Sequence, residues 1–171
     1  MLFRSRAGDA PAFAQLVTRW QERLWRHALR LTGSSESAWD ALQESWLAIA
    51  RGIPGLADPA RFRRWSYTIV TRSAVNLVRQ RAHERATAPE TLDGHSAPSD
   101  DDDPSADEVA RLRRALERLP NETRALVSLR YLEGLELAEL AEVFGIPEGT
   151  VKSRLHHARA QLRAHLERKN R

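Results

Sequence analysis

The sequence predicts an all-α protein built as two small helical domains joined by a flexible acidic linker, and three observations carry that reading. Apolar residues recur at the three-and-four spacing of amphipathic helices, and no stretch shows the period-two alternation of a half-buried strand. Charge is laid out in blocks. Residues 1–83 hold 13 Lys and Arg against 6 Asp and Glu, residues 84–108 hold 1 against 9, and residues 109–171 hold 13 against 8. The acidic block also carries Pro89, Gly94, Pro98, Pro104 and the run Asp100-Asp101-Asp102-Asp103, with hardly any bulky apolar side chain. Such a stretch buries too little surface to offset the entropy of ordering it. The expected boundaries are a first domain at 1–83, a linker at 84–107 and a second domain at 108–171.

Each helix has local signals. In the first domain Asp9 is placed to cap a helix with Pro11 in its first turn, and Gly33 to end it. Phe13, Leu16, Val17, Trp20, Leu24 and Leu31 give that helix its apolar face. A second helix is expected from Ser34 or Ser35 to about Arg51. The sequence Ile53-Pro54-Gly55-Leu56 breaks it, and Asp58 then caps a third helix with Pro59 at its first position. Phe62, Trp65, Ile69 and Leu77 lie on that helix, which is expected to end in the basic stretch Arg79-Gln80-Arg81. All five tryptophans fall in this half and are expected mostly in its core. The second domain opens with a capping box from Ser105 to Glu108. Val109, Leu112, Leu116 and Leu119 are expected to form one apolar stripe, and Leu126, Leu129, Tyr131 and Leu132 the next helix, between Pro120 and Gly134.

Composition excludes several classes of function. There is no cysteine, so disulfides and thiolate metal sites are ruled out, and a reducing cytoplasm fits. The first residues lack the apolar run of a secretory signal, and no run approaches the roughly 20 apolar residues that span a bilayer. No phosphate-binding Gly loop and no HExxH is present. The six histidines are scattered, and the adjacent pair His156-His157 makes a poor metal site, because neighbours on a helix point about 100° apart. No cofactor, metal or catalytic constellation is expected. Two basic blocks suit a polyanion partner.

The chemistry concentrates in LAELAEVFGIPEGTVKSRL, residues 137–155. Ala141 is small where two helices must cross closely. Gly145 can take the positive φ of a tight turn, and Val151 can plug the core from the second helix. Leu140, Phe144, Ile146 and Leu155 fill the other inner positions. Thr150, Lys152, Ser153, His156, His157 and Arg159 are left on the opposite face. Lys and Arg there can reach guanine acceptors and phosphates in a major groove. This pattern predicts a DNA-binding helix-turn-helix.

The wider run from Leu119 to Leu162, especially LRYLEGLELAELAEVFGIPEGTVKSRLHHARAQL, closely resembles region four of bacterial sigma factors of the sigma-70 family, and most of all their short extracytoplasmic-function (ECF) group. The first domain resembles their region two, through Asp40 and Leu42-Gln43-Glu44 in SAWDALQESWLAIAR and through FRRWSYTIVTRSAVNLVRQR, residues 62–81. The resemblance implies a specificity subunit of RNA polymerase that has no catalytic site of its own and works at the bacterial nucleoid. By it, Asp40, Gln43 and Glu44 dock on the β′ clamp helices of core polymerase, and region four meets the β flap. Residues 53–60 form the loop that captures a flipped base of the minus-ten element. That loop's Asp58, with Arg61, Arg64, Arg72, Asn76, Arg79 and Arg81, serves minus-ten DNA, and Arg63 neutralises phosphate nearby. Lys152, Ser153, His156 and His157 face the minus-thirty-five element, while Arg130, Thr150, Arg154 and Arg159 position the DNA backbone. An anti-sigma partner is implied as well. The chain departs from the family pattern at Trp39, Arg72, His156 and His157, positions that bear on which promoter sequence is read. A dimeric repressor would use the same motif but leaves the helix around Asp40–Glu44 and the Trp-rich basic helix without a role.

Overall fold

A computed structural model describes residues 9–87 and 104–167. Among these residues there are seven α-helices, two short 3-10 turns and no strand.

The N-terminal module is a bundle of α1 (Ala10–Thr32), α2 (Ser35–Gly52) and α3 (Phe62–Thr87). The Asp9 side chain accepts from Ala12 N at 3.0 Å, filling one of the donors that a helix start leaves orphaned. Gly33 closes α1 in the left-handed conformation, its N–H reaching Leu29 O. Ser34 caps α2 by accepting from Ser37 N. The break after α2 is two 3-10 turns, Ile53–Gly55 and Pro59–Arg61. Asp58 starts the second turn by accepting from Ala60 N, so it caps a turn that leads into α3 rather than the helix itself. The helix α3 does not stop at Arg81. It continues through residues 84–87, so the acidic block begins within a helix.

The C-terminal module comprises α4 (Pro104–Glu117), α5 (Asn121–Tyr131), α6 (Leu137–Phe144) and α7 (Glu148–Glu167). Helix α4 starts at Pro104, ahead of the expected cap, which places Ser105 inside the first turn. The flexibility expected of the linker concerns residues 88–103, which lie outside the described residues. Two apolar expectations fail at the surface: Leu112 is 43% exposed, and Tyr131 and Leu132 are 55% and 70% exposed. Tyr131 and Leu132 lie at the end of α5, and Leu112 lies on the outer side of α4. Leu135 and Val143, absent from the expected core, are buried instead.

The two modules do not stand apart. Helix α5 packs on α1, and α6 packs on α3. Leu16, Leu24, Leu42 and Phe62 of the first module form one continuous core with Leu126, Leu140, Val151 and Leu155 of the second. A smaller cluster joins Leu31, Ala41, Ala74 and Ala125, with Phe144 packed against it. Asn121 Nδ2 donates to Leu31 O at 2.8 Å and Arg124 Nη2 to Arg30 O at 3.2 Å. These donors satisfy carbonyls that the end of α1 leaves without an intrahelical partner, and Arg124 adds a cation at the negative end of its dipole.

Four tryptophans are half-buried. Trp46 meets Phe13, Trp20 and Trp65 flank Phe62, and Trp25 lies against Trp39 with ring centroids 5.8 Å apart. Trp39 itself is 40% exposed, next to Asp40.

Candidate nucleic-acid interface

Helix α7 has two faces of different chemistry. Val151, Leu155 and Ala158 are buried against α4, α5 and α6. Successive residues turn by about 100°, so Lys152, Ser153, His156 and His157 project roughly opposite that stripe. All four are exposed. The imidazoles of His156 and His157 meet edge to face at 5.8 Å. Arg159 is exposed on the flank, and Arg163, one turn further on, extends the same basic edge. Arg163 lies beyond the helix-turn-helix motif, and its spacing of four from Arg159 is the one sequence signal for it.

The turn before α7 is built for close helix crossing. Gly145 has φ +65°, which an L side chain adopts only under strain, and its N–H bonds Ala141 O. Glu136 and Glu139 make a reciprocal capping box at the start of α6. Arg154 and Arg130 are spent on this scaffold. Arg154 pairs with Glu122 of α5 at 3.4 Å. Arg130 donates to Leu135 O at 2.8 Å and meets Glu136 at 3.3 Å. Thr150 accepts from the Ser153 hydroxyl through its backbone oxygen at 3.3 Å.

The second feature is a cavity of about 880 Å³ beside the 3-10 turns. Gly52, Leu56, Asp58, Arg61, Trp65 and Arg72 are among its lining residues. The Trp65 indole packs closely against Gly52. A methyl group there would come within 2.7 Å of the indole, so glycine is needed for close approach. Asp58 is engaged with Ala60 N and, at 3.7 Å, with Arg61. Along α3 the positions 65, 68, 72, 76 and 79 follow the i, i+3, i+4 rule and share a face. Arg72, Asn76 and Arg79 are exposed on it. Arg81 is on the other side, where it donates to Ser37 and pairs with Asp40 at 2.8 Å. It therefore braces α3 against α2 instead of lining the cavity face. Arg64 also lines the cavity, but it pairs with Glu142 of α6 at 3.0 Å. Arg63 reaches Glu139 at 3.4 Å and Glu133 O at 3.1 Å.

We expect Gly52→Ala to push the Trp65 indole into the cavity. Overpacking of this kind costs about 1–3 kcal/mol. A urea titration should show that loss together with weaker binding of single-stranded DNA. A variant as stable and as competent as the wild type would refute the close packing.

The third feature is a face of α2. Gln43 and Glu44 are exposed, while Ala41, Leu42 and Ser45 beside them are buried. Leu47, 59% exposed, continues this face by one turn. Spacing alone does not distinguish an exposed leucine from a core leucine, so this position was not legible from periodicity.

His27 is buried at the centre of the first module. Its Nε2 lies 2.8 Å from the Thr71 hydroxyl, its ring meets Tyr67 edge to face, and its Nδ1 has no partner. Burial, and then the neighbouring charge of Arg30, lower its pKa to about 3, so the ring is neutral. Tyr67 is pushed up from the usual phenol range by burial and then by the Glu133 carboxylate across the module boundary. Among the described residues no cluster of metal-ligating side chains occurs and no helix is long and apolar enough to cross a membrane.

The fold and these surfaces define a DNA-binding helical protein of two modules, one a helix-turn-helix and the other a basic bundle with a cavity beside its longest helix. Family models for Sigma-70 region 2 and Sigma-70, region 4 match residues 16–84 and 110–162. The chain is 35% identical over 164 residues to the ECF RNA polymerase sigma factor SigE of Mycolicibacterium smegmatis, covering 91% of this chain and 62% of that one. It is 38% identical over 162 residues to the ECF RNA polymerase sigma factor SigM of Mycobacterium tuberculosis, covering 91% and 78%. Among solved structures it is similar to CnrH in complex with the cytosolic domain of CnrY, with a TM-score of 0.66, 26% identity and coverage of 97% and 94%. The sigma factor RpoE of Bartonella quintana, solved with the anti-sigma factor NepR, has the same fold, with a TM-score of 0.69 at 22% identity and coverage of 91% and 97%. The chain belongs to the sigma-70 family of RNA polymerase sigma factors, within its extracytoplasmic-function group.

Proposed function

We propose that this chain binds core RNA polymerase and directs it to a specific set of promoters, reading both promoter elements and trapping an unpaired base as the duplex opens. The observation that carries this reading is the pairing of two surfaces of different use. Helix α7 offers Lys152, Ser153, His156 and His157 to a major groove, opposite a fully buried stripe. The cavity next to α3 offers an aromatic wall and arginine donors, the combination that holds an extruded base. In this assignment Asp58, Arg61, Arg64, Arg72, Asn76 and Arg79 serve the minus-ten strand. Arg81 and Arg154 act by holding those surfaces in place.

The face of Gln43, Glu44 and Leu47, with Asp40 at its edge, is the docking surface for the clamp of the polymerase. Acidic and amide groups around an exposed leucine suit a basic partner with an apolar centre. The chain supplies no catalytic group; nucleotide addition belongs to the polymerase. An anti-sigma protein is the natural regulator, since the similar solved proteins were captured with partners, the cytosolic domain of CnrY in one case and the anti-sigma factor NepR in the other. The functional limits follow the expected 1–83, 84–107 and 108–171 for the minus-ten module, linker and upstream module, with the linker ends taken up by α3 as far as Thr87 and by α4 from Pro104, and with action in the cytoplasm at the nucleoid.

The direct test is run-off transcription by core polymerase with and without the chain. Start-site selection that depends on the chain is expected, and its absence would reject the assignment. Glu44→Arg should weaken co-purification with core polymerase about tenfold, since reversing a charge against a complementary surface costs on the order of 1–2 kcal/mol. Asp40 is a poorer choice for that test, because reversing it would also set it against Arg81. Undiminished co-purification of Glu44→Arg would remove α2 from the docking surface.

A further inference from the structure

Two histidines stand side by side on the outer face of α7, and the fold makes no use of them. His156 and His157 are exposed, and the core beneath is formed by Val151, Leu155 and Ala158. Among the described residues their one polar or ring contact is with each other, at 5.8 Å and an interplanar angle of 79°. Imidazole is the one ordinary side chain whose charge changes between about pH 5 and 8. A neutral ring offers one donor and one acceptor, and a charged ring offers two donors. Guanine N7 and O6 and the phosphate oxygens are acceptors only. The charged ring is therefore the form that matches DNA.

The surroundings of the pair change sign on binding. On α7 itself Lys152 lies one turn before His156 and Arg159 nearly one turn after it, so the near neighbours are cations. Glu148, the carboxylate at the start of this helix, is eight residues away, about 12 Å along the axis. Helices α4, α5 and α6 pack on the side of the buried stripe. Their carboxylates are turned to arginines: Glu117 acts on Arg124, Glu122 pairs with Arg154, and Glu139 and Glu142 pair with Arg63 and Arg64. No charged group of these three helices bonds either imidazole. A DNA duplex laid on this face brings phosphates and guanine acceptors to the rings, and opposite charge favours the charged form.

We propose that α7 reads upstream DNA through a proton-linked histidine pair: binding draws a proton onto His156 or His157, so recognition tightens as pH falls. This rests on the proposed use of α7 in a major groove. The perpendicular rings fix the stoichiometry. The positive edge of one ring meets the π face of the other, an arrangement that a single charge on the edge-bearing ring strengthens. A second charge would set two cations against each other, so the pair titrates as a unit that takes up one proton. The sign follows by linkage. A complex that binds one more proton than its free components gains affinity in acid and loses it as pH rises. Full uptake of one proton changes affinity tenfold per pH unit, or at most about a hundredfold between pH 8 and 6.

The test uses the chain bound to core polymerase and two duplex promoters, one with the upstream element intact and one with it scrambled. The ratio of their affinities cancels the titration of His27, His83 and the polymerase. It should rise about ten- to thirtyfold from pH 8 to pH 6, within the limit set by one proton. His156→Gln with His157→Gln keeps polar side chains of similar size without a titratable group, and its ratio should not change with pH. His156→Arg with His157→Gln, and the reverse pairing, each place one permanent charge, and one of them should hold the acid ratio at both pH values. His165→Gln removes an imidazole bonded to Gln161 O on the same helix and should keep the full pH dependence.

A wild-type ratio that does not change with pH overturns the inference. So does an equal pH dependence in the double glutamine variant, or its loss in His165→Gln. Substituting 7-deazaguanine at each guanine of the upstream element finds the acceptor. If pH dependence vanishes at one position the proton serves a base edge, and if it survives at all of them it serves a phosphate. The outcome also separates this inference from the function beneath it. A preference for the intact element that ignores pH leaves α7 in the groove and removes the proton. No preference at either pH removes both.

Discussion

Replacing Lys152 and Ser153 together by alanine should abolish recognition of the upstream promoter element while leaving polymerase binding intact. Both side chains are exposed on the outer face of α7, and the core beneath them is formed by Val151, Leu155 and Ala158. Folding should therefore be almost unaffected, because exposed positions away from caps and ion pairs change stability little. A good contact to a base edge contributes about 1–3 kcal/mol of discrimination, so losing two should reduce upstream-dependent transcription on the order of 100-fold. The measurement is a footprint of the upstream element, paired with run-off transcription from promoters in which that element is varied. The salt dependence assigns Lys152 further. If it binds phosphate, the variant loses affinity evenly across sequences and its salt slope falls by about one; if it reads a base, discrimination collapses at one position. An unchanged footprint would remove α7 from promoter reading.

Acid should destabilise the first module through His27. Its folded pKa of about 3 lies below its value of about 6.5 in the unfolded chain, because burial and then Arg30 oppose the charged ring. Between those two values the unfolded chain binds a proton that the folded chain does not. Stability from this source is therefore complete above pH 6.5 and declines as pH falls toward 3. Two pH units below the unfolded value the loss is about 3 kcal/mol, a large share of the 5–15 kcal/mol that typically holds a domain together. His27→Gln can keep a hydrogen bond to Thr71 and carries no titratable group. Urea titrations from pH 7 to 4.5 should give a shallower pH dependence for this variant than for the wild type, whatever its stability at neutral pH. Identical slopes would show that His27 does not govern the acid response. The same site explains why a histidine within a basic bundle is not a metal ligand or a DNA contact: it is a neutral core side chain, held by Thr71 and Tyr67.

The helices and their ends were legible because the signals are local. Asp9, Ser34 and Gly33 each act within four residues of their own position, and Gly145 sets the turn of the helix-turn-helix through its own φ. The reading face of α7 was legible for a related reason: helical periodicity alone puts Lys152 and His156 opposite Val151 and Leu155. Arginine roles were not legible. Arg61, Arg64, Arg72, Arg79, Arg81, Arg130 and Arg154 are chemically alike, and what each does depends on which carboxylate or carbonyl another helix brings to it. Arg72 and Arg79 face outward from α3, whereas Arg81 pairs with Asp40, Arg154 with Glu122 and Arg64 with Glu142. Leu112 and Leu132, at correct helical spacing, are exposed because no partner element reaches them.

The sequence by itself determined the seven-helix, two-module plan, the position of the DNA-reading motif and membership of a recognisable family, since each rests on interactions between residues near one another in the chain. Only the tertiary structure decided that α6 rests on α3, that Glu142 stands in the wall of the cavity, and that the carbonyl end of α1 is completed by Asn121 and Arg124. Those contacts join residues 70 to 94 positions apart. No periodicity encodes them, because they arise where two already folded surfaces match in shape and charge.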